Sequence, residues 1–527
     1  MFTSTDLEKA GSIYFIGIGG IGMSALARYF NFHGKKVSGY DKTETTLTKQ
    51  LIAEGIAIHY EESIEKADKN AGLIVYTPAI PKEHKELLYY QQNNFTLLKR
   101  SDVLGLITNS SFNICVAGTH GKTTITTMTA HILRHSGYGC NAFLGGIAVN
   151  YQSNFWSSER NVCVVEADEY DRSFLKLSPD IAVITSMDAD HLDIYGTAVD
   201  LENTFIEFSG KVKSNGWVIS KHGLPRGLEL KGANHLTYSL QNSGASVYAT
   251  SIKMQNGSYE FDVVMKDWMM DKVVLNMGGM HNVENVIAAI AVAHRLGISN
   301  EKIREAVAAF KGVKRRFEYI VKNDELVFVD DYAHHPEELK ALITGAKELF
   351  SKWKCTVIFQ PHLFSRTRDF ADGFAESLDL ADEVILLPIY PARELPMEGI
   401  TSELLLSKMK IKAKKLLSKE ELLKWVSMMV DGDKKNIMVG GDKKDIMVGE
   451  DKKDIMVGED KKDIMVGGDK KDIMVGEDKK DIMVGGDKKD IMVGGDTNHG
   501  IIITAGAGDI DALVLPIKKI LNQNKFD

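Results

Sequence analysis

Short apolar runs recur along this chain, and each ends in a turn of glycine or polar residues. Runs at 12–18, 72–77, 112–117, 162–165, 181–185, 326–329, 357–359, 384–387 and 500–504 are short and nearly continuous in apolar character, and the mixed stretch at 36–40 reads as a further strand. That pattern predicts buried strands. Helical patterns follow at 23–33, 123–133 and 286–296. Strands alternating with helices predict an α/β chain of parallel sheets, with ligand groups at the carboxyl ends of the strands. A polar break at 108–111 and the basic stretch at 314–316 divide the pattern. Three domains are expected: 1–108, Rossmann-like; 109–313, a phosphate-loop ATPase-like parallel sheet; and 314–527, a second Rossmann-like α/β domain.

One stretch departs from the pattern. Residues 433–495 are seven tandem copies of a nine-residue unit, typically Asp-Lys-Lys-Asp-Ile-Met-Val-Gly-Gly or the same ending in Gly-Glu. A calcium β-roll fits poorly, because the units lack the G-G-x-G-x-D spacing. Three apolar residues in nine support little core. The repeat is read as an expansion inside a surface loop, where long insertions cost little.

The sharpest chemical signal is Gly118-Thr119-His120-Gly121-Lys122-Thr123-Thr124, between a strand at 112–117 and a helix. Backbone N–H groups and the helix dipole favour phosphate there. Lys122 would reach the β/γ-phosphates, and the Thr123 hydroxyl would sit on Mg²⁺. The loop is a variant, with two residues between its glycines rather than four.

A second glycine loop, Gly17-Ile18-Gly19-Gly20-Ile21-Gly22, lies in a βαβ pattern, with Asp41 about twenty residues on, where an acid meets a ribose hydroxyl. It fits an NAD-type cofactor or a UDP-type substrate handle. Further strand ends carry Glu166-Ala167-Asp168-Glu169 and Asp188-Ala189-Asp190-His191. A carboxylate so placed can hold Mg²⁺ beside phosphates. Asn282 and Asn285 open the helix at 286–296, as caps or as adenine contacts.

Composition narrows the classes. The 527 residues carry a net charge of −8, which gives no global bias toward nucleic acid, so anionic ligands need local sites. Four cysteines, Cys115, Cys140, Cys163 and Cys355, show no C-x-x-C spacing, and three lie in apolar runs. Reduced, buried thiols and a cytoplasmic protein are expected. No secretory pattern opens the chain, and no apolar run approaches the ~20 residues that span a bilayer.

The stretches Gly17–Ser24, Gly118–Thr124, Glu166–Glu169, Asp190–Asp193 and His281-Asn282, in this order, resemble the Mur ligases, ATP-dependent amino-acid ligases of peptidoglycan synthesis. Gly17-Ile18-Gly19-Gly20-Ile21-Gly22-Met23 is similar to the branch that joins L-alanine to UDP-N-acetylmuramate. The resemblance implies ATP and Mg²⁺ as cofactors and a monomer or homodimer. Gly118 to Thr124, Asn282, Asn285 and Arg316 would bind ATP. Lys122, Glu166, His191 and Arg316 would be catalytic, with Thr123, Glu166 and His191 on Mg²⁺. Gly17, Gly19, Gly20, Gly22 and Asp41 would hold the nucleotide sugar. Tyr332, His334, His335, His362 and Arg366 would line the alanine side.

Relatives often read Pro-His-Arg-Tyr-Ser-Arg where this chain has Pro361-His362-Leu363-Phe364-Ser365-Arg366, so Leu363 removes one positive charge. Cousin ligases carry a carbamylated lysine after the Asp-His motif, and no lysine in 205–211 is clearly in register. Three alternatives stay open: an NAD-linked dehydrogenase, a nucleotide-binding scaffold around the repeat, and a recycling ligase that adds a tripeptide to the same nucleotide sugar.

Overall fold

A computed structural model describes residues 2–434 and 499–522 except 190, 191, 256 and 393, together with seven short segments between 438 and 494. The chain divides into two compact units, Met1–Glu318 and Tyr319–Asp527.

The first unit holds two sheets. The smaller has five parallel strands in the order Ala57–His59, Lys36–Tyr40, Ser12–Ile16, Leu73–Tyr76, Leu97–Lys99. The order reverses beside Ser12–Ile16, so the glycine turn after that strand opens at the switch point, where such sheets bind ligands. Helix Ile21–Phe32 follows and buries Met23, Leu26 and Phe30.

The larger sheet has ten strands. Its parallel centre runs Asn234–Ser239, Trp217–Lys221, Ile181–Ile184, Phe112–Ala117, Val162–Glu166, Asn141–Ala148. Its ends are antiparallel: Ser153–Trp156 pairs with Asn141–Ala148, and Val247–Gln255, Ser258–Met265 and Trp268–Leu275 form a meander. The apolar runs did not announce this meander. Burial alternates along Ser258–Met265, as in a half-buried strand, whereas every residue of Ile181–Ile184 is buried.

Helix Lys122–His135 lies under the larger sheet, with eleven consecutive residues from Thr123 to Leu133 buried. It is tied in by His131, whose Nε2 lies 2.8 Å from the Ala306 carbonyl and whose Nδ1 lies 2.9 Å from the Tyr151 hydroxyl. A carbonyl only accepts, so Nε2 donates and Nδ1 receives the tyrosine proton. Burial agrees with this neutral ring, pushing the His131 pKa down to about 4.

The second unit is built on a six-stranded sheet in the order Glu318–Lys322, Leu326–Asp331, Gly500–Ala505, Lys354–Phe359, Glu383–Leu386, Lys414–Leu416. Gly500–Ala505 is parallel to both neighbours and central, although it comes after the repeat. The repeat therefore connects helix Lys419–Lys434 to a strand that the sheet needs. Its described segments are strands of three or four residues, such as Met438–Gly440 and Asp445–Val448. Among the described residues these pair with one another and not with the six-stranded sheet.

Closing a longer loop costs only (3/2)RT ln n. Deleting 442–495, which leaves one unit, is therefore expected to change stability by about 2 kcal/mol or less. Chemical denaturation of the full-length and shortened proteins checks this. A shortened protein that fails to fold would make the repeat part of the core.

Candidate active site

Three neighbouring strands of the larger sheet, Ile181–Ile184, Phe112–Ala117 and Val162–Glu166, end side by side. The loop after Phe112–Ala117 turns sharply into helix Lys122–His135, with Gly118 at φ +137° and Gly121, the N-cap, at φ +80°. A side chain at Gly118 would collide with its neighbour, since a Cβ there would lie 2.0 Å from Thr185 Oγ1. The next strand end buttresses the loop. Ser186 Oγ accepts from the His120 N–H at 2.8 Å and bonds Thr119 Oγ1 at 2.8 Å, and Thr185 Oγ1 donates to the His120 carbonyl. The loop is thus held from outside, and the first N–H groups of the helix have no intrahelical acceptor. Thr124 is buried in that first turn, whereas the His120 side chain is exposed, 3.8 Å from the Asp188 carboxylate.

The carboxylates that follow Val162–Glu166 meet this helix start. Glu166 Oε1 accepts from Thr123 Oγ1 and Oε2 accepts from the Gly145 N–H, both at 2.9 Å. Burial pushes the Glu166 carboxyl up, opposed by Thr123 and by the charges of Lys122 and Arg316. Lys122 Nζ donates to Glu169 Oε1 at 2.7 Å and to the Gly118 carbonyl at 2.6 Å. Glu169 is fully buried, and its other oxygen has no hydrogen-bond partner among the described residues. Burial raises its pKa against the pull of Lys122. The Thr123 hydroxyl and the Glu166 carboxylate are hard oxygen donors beside a phosphate-type loop. They suit a small hard cation that takes its other ligands from phosphate and water. Among the described residues no group of three or more His, Cys, Asp or Glu side chains could hold a metal by itself. His191 and Asp190 lie outside the described residues.

Asn282 and Asn285 are not caps. The N-cap of helix Met280–Arg295 is Gly279, and both asparagines lie inside the helix. Asn285 Nδ2 donates to Asn282 Oδ1 at 3.0 Å, and Asn282 Nδ2 donates to the Gly278 carbonyl at 2.6 Å. This chain of amides points Asn285 at the loop, since a Cβ on Gly121 would lie 3.0 Å from Asn285 Oδ1. Arg316 is exposed, on a segment stitched to Asn141–Ala148 by the Ala148–Val313 bridge and a 2.9 Å bond from Lys314 N–H to the Ile147 carbonyl. Its charge acts on both Glu166 and His281.

The other glycine loop opens on the same side of this unit. A cavity of about 340 Å³ is lined by Gly20 and Gly22 at one end and by Gly145, Glu166 and Asp168 at the other. Asp41 closes the turn from behind, its Oδ2 accepting from the Gly19 N–H at 2.7 Å. Gly17 takes φ +87° at the start of the turn.

In the second unit, the predicted side chains gather beyond the ends of Leu326–Asp331 and Lys354–Phe359. His334 Nδ1 is 2.8 Å from the Tyr332 carbonyl, and the His334 and His335 N–H groups both reach Glu338 Oε2. The rings of His334 and His362 are 6.4 Å apart, His362 stacks on Tyr390, and Arg366 Nη1 lies 3.1 Å from His362 Nδ1. Burial and Arg366 hold the His362 pKa down. Leu363 sits at φ +70° between them, a conformation that costs a leucine energy.

Sequence reasoning missed Gly145, Ser186 and Arg100 as parts of the site. The adjacent pair Gly145-Gly146 in an apolar run was the available signal. A Cβ at Gly145 would lie 2.3–2.4 Å from the Glu166 carboxylate. Gly145→Ala is therefore expected to leave the fold intact and to slow phosphate release from nucleoside triphosphate by ~10²-fold, the usual effect of displacing a reacting group by about 1 Å. Steady-state kinetics with a thermal-unfolding control check it; unchanged turnover would remove Glu166 from the site.

Residues 12–111, 116–293 and 315–441 match three family models: "Mur ligase family, catalytic domain", "Mur ligase middle domain" and "Mur ligase, glutamate ligase domain". A UDP-N-acetylmuramate–L-alanine ligase of Flavobacterium johnsoniae is 50% identical over 422 residues, covering 79% of this chain and 92% of that protein. One from Parabacteroides distasonis is 48% identical over 427 residues, covering 79% and 92%. The crystal structure of UDP-N-acetylmuramate-alanine ligase from Thermotoga maritima superposes with a TM-score of 0.72 at 26% identity, covering 98% of this chain and all of that one. The order of the two glycine loops, the carboxylates at the neighbouring strand end and half-identity across nearly the whole length of a relative lead to one conclusion: this chain belongs to the Mur ligase family.

Proposed function

We propose that the protein joins L-alanine to the lactyl carboxylate of UDP-N-acetylmuramate, with ATP converted to ADP and phosphate, in peptidoglycan synthesis. The observation that carries this reading is the cavity lined by Gly20 and Gly22 at one end and Glu166 at the other. A nucleotide sugar anchored at the first loop would present its carboxylate to a phosphate held at the second. The sequence of the alanine-adding relatives supports the same choice, at 48–50% identity. A murein peptide ligase from Psychrobacter arcticus has the fold at 21% identity and a TM-score of 0.61, so the tripeptide-adding alternative is less supported.

A carboxylate and an amine do not condense unaided in water. The carboxylate oxygen attacks the γ-phosphorus, the bond to ADP breaks, and an acyl phosphate forms. The alanine amine then attacks that carbonyl, loses a proton, and phosphate leaves. In this reading Gly118 to Thr124 cradle the phosphates, and Asn282 and Asn285 flank the nucleotide. Lys122 and Arg316 offset charge on the transferred group, the usual source of catalysis in phosphoryl transfer. Thr123 and Glu166 would hold Mg²⁺, which when bound would supply positive charge to offset that of the phosphates. His191 enters as a further ligand on the family resemblance alone. Gly17, Gly19, Gly20 and Gly22 hold the nucleotide sugar, with Asp41 fixing their turn. Tyr332, His334, His335, His362 and Arg366 bind alanine.

The domain limits 1–108, 109–313 and 314–527, a cytoplasmic location and a monomer or homodimer complete the proposal. Among the described residues no helix is long and apolar enough to cross a membrane.

The test is ADP formation with UDP-N-acetylmuramate and a panel of single amino acids and the tripeptide. L-Alanine is expected to give the highest kcat/KM. Turnover with the tripeptide above that with alanine would overturn the assignment.

A further inference from the structure

Arg100 follows the edge strand Leu97–Lys99 and begins helix Arg100–Asn109, outside every motif of the chain. Its side chain reaches back over the first turn of helix Ile21–Phe32. A Cβ on Gly22 would lie 2.8 Å from Arg100 Nη1, 3.0 Å from Cδ and 3.3 Å from Cζ. The third glycine of such a fingerprint ordinarily serves helix–strand packing. Here the missing side chain leaves room for a guanidinium.

Arg100 also lines the 340 Å³ cavity, and among the described residues lining it Arg100 is the one cationic side chain. Its carboxylate partner is Asp168, with Arg100 Nη2 3.5 Å from Oδ2 and the two side chains 25% and 41% exposed. That separation is well beyond the 2.7–2.9 Å of a tight charge-assisted bond. Asp168 thus orients the guanidinium while leaving donors for another acceptor. The carboxylate turn serves three partners: Glu166 holds Thr123, Glu169 holds Lys122 and Asp168 faces Arg100.

We propose that Arg100 is a substrate-binding residue that takes an oxyanion of the nucleotide sugar, its diphosphate or its carboxylate, in the cavity between Gly22 and Asp168. This rests on the nucleotide-sugar reading of that cavity. Arginine suits the task because its planar fork binds phosphate or carboxylate through two parallel bonds. The same turn, Glu166–Glu169, then contacts the groups that hold both substrates, so substrate placement and phosphate placement are set by one short stretch of chain.

The experiment uses the full chain, with Arg100→Met to keep the apolar stem and Arg100→Lys to keep the charge. Arg100→Met is expected to raise KM for UDP-N-acetylmuramate at least tenfold, with KM for ATP and the thermal midpoint unchanged. Arg100→Lys should recover part of the loss. Calorimetry with UDP-N-acetylglucosamine, which has the diphosphate but no lactyl carboxylate, separates the two sources. Weaker binding of both nucleotide sugars assigns the diphosphate; weaker binding of the muramate alone assigns the carboxylate. A folded Arg100→Met protein with wild-type affinity for both overturns the inference while leaving the ligase reading intact. A wild-type protein that binds neither overturns both.

Discussion

The site depends on how two acidic side chains, Glu166 and Glu169, are held against the phosphate loop while the fold withdraws them from water. Burial raises both pKa values. The opposing groups are the Thr123 hydroxyl and the Lys122 ammonium from the helix that follows the loop, the Gly145 N–H from strand Asn141–Ala148 and the charge of Arg316. The Lys122–Glu169 pair, with side chains 15% and 1% exposed, is a buried ion pair. Removing one partner of such a pair typically costs 3–5 kcal/mol, because the other charge is stranded. In the proposed reading a triphosphate would be a stronger partner for Lys122 than one carboxylate, so ligand binding would replace an interaction that the free protein already makes. The loop is therefore preorganised around charge before any ligand arrives.

This constraint explains the sheet order. Phe112–Ala117 lies between Ile181–Ile184 and Val162–Glu166, so the loop has the Thr185–Ser186 buttress on one side and the carboxylates on the other. None of these contacts is local in sequence; Thr119 and Ser186 are 67 positions apart. The parallel topology brings them together, and helix Lys122–His135, buried along most of its length, keeps them in register.

Much of this was legible in the sequence, and the limits are physical. Strands buried on both faces, such as Phe112–Ala117 and Val162–Glu166, appear as continuous apolar runs. The meander from Val247 to Leu275 has one polar face and hid in ordinary alternation. Lys122, Thr123 and Glu166 were legible because glycine loops and strand-end carboxylates have a fixed place in parallel sheets. Asn282 and Asn285 could not be assigned from spacing, since a cap and an inward-facing amide look alike until Gly279 is seen to be the N-cap. Gly145 and Arg100 are marked by close approach in space, a Cβ on Gly145 falling 2.3 Å from the Glu166 carboxylate and one on Gly22 falling 2.8 Å from Arg100 Nη1, and no local pattern encodes such an approach. The repeat was legible as a repeat. That the strand after it would be central, between Leu326–Asp331 and Lys354–Phe359, followed only from the pairing.

The cavity runs from the first glycine loop to Glu166, which accepts from Thr123 of the phosphate loop, so in the proposed reading the carboxylate of one ligand becomes the nucleophile toward the phosphate of the other. Oxygen-isotope tracing tests this most directly. UDP-N-acetylmuramate labelled with ¹⁸O in its lactyl carboxylate would be turned over with ATP and L-alanine, and the released phosphate analysed by mass. An acyl-phosphate route predicts one carboxylate oxygen in each phosphate formed. Phosphate free of label, carrying an oxygen from solvent water instead, would contradict the account, because ATP would then have been hydrolysed without activating the carboxylate.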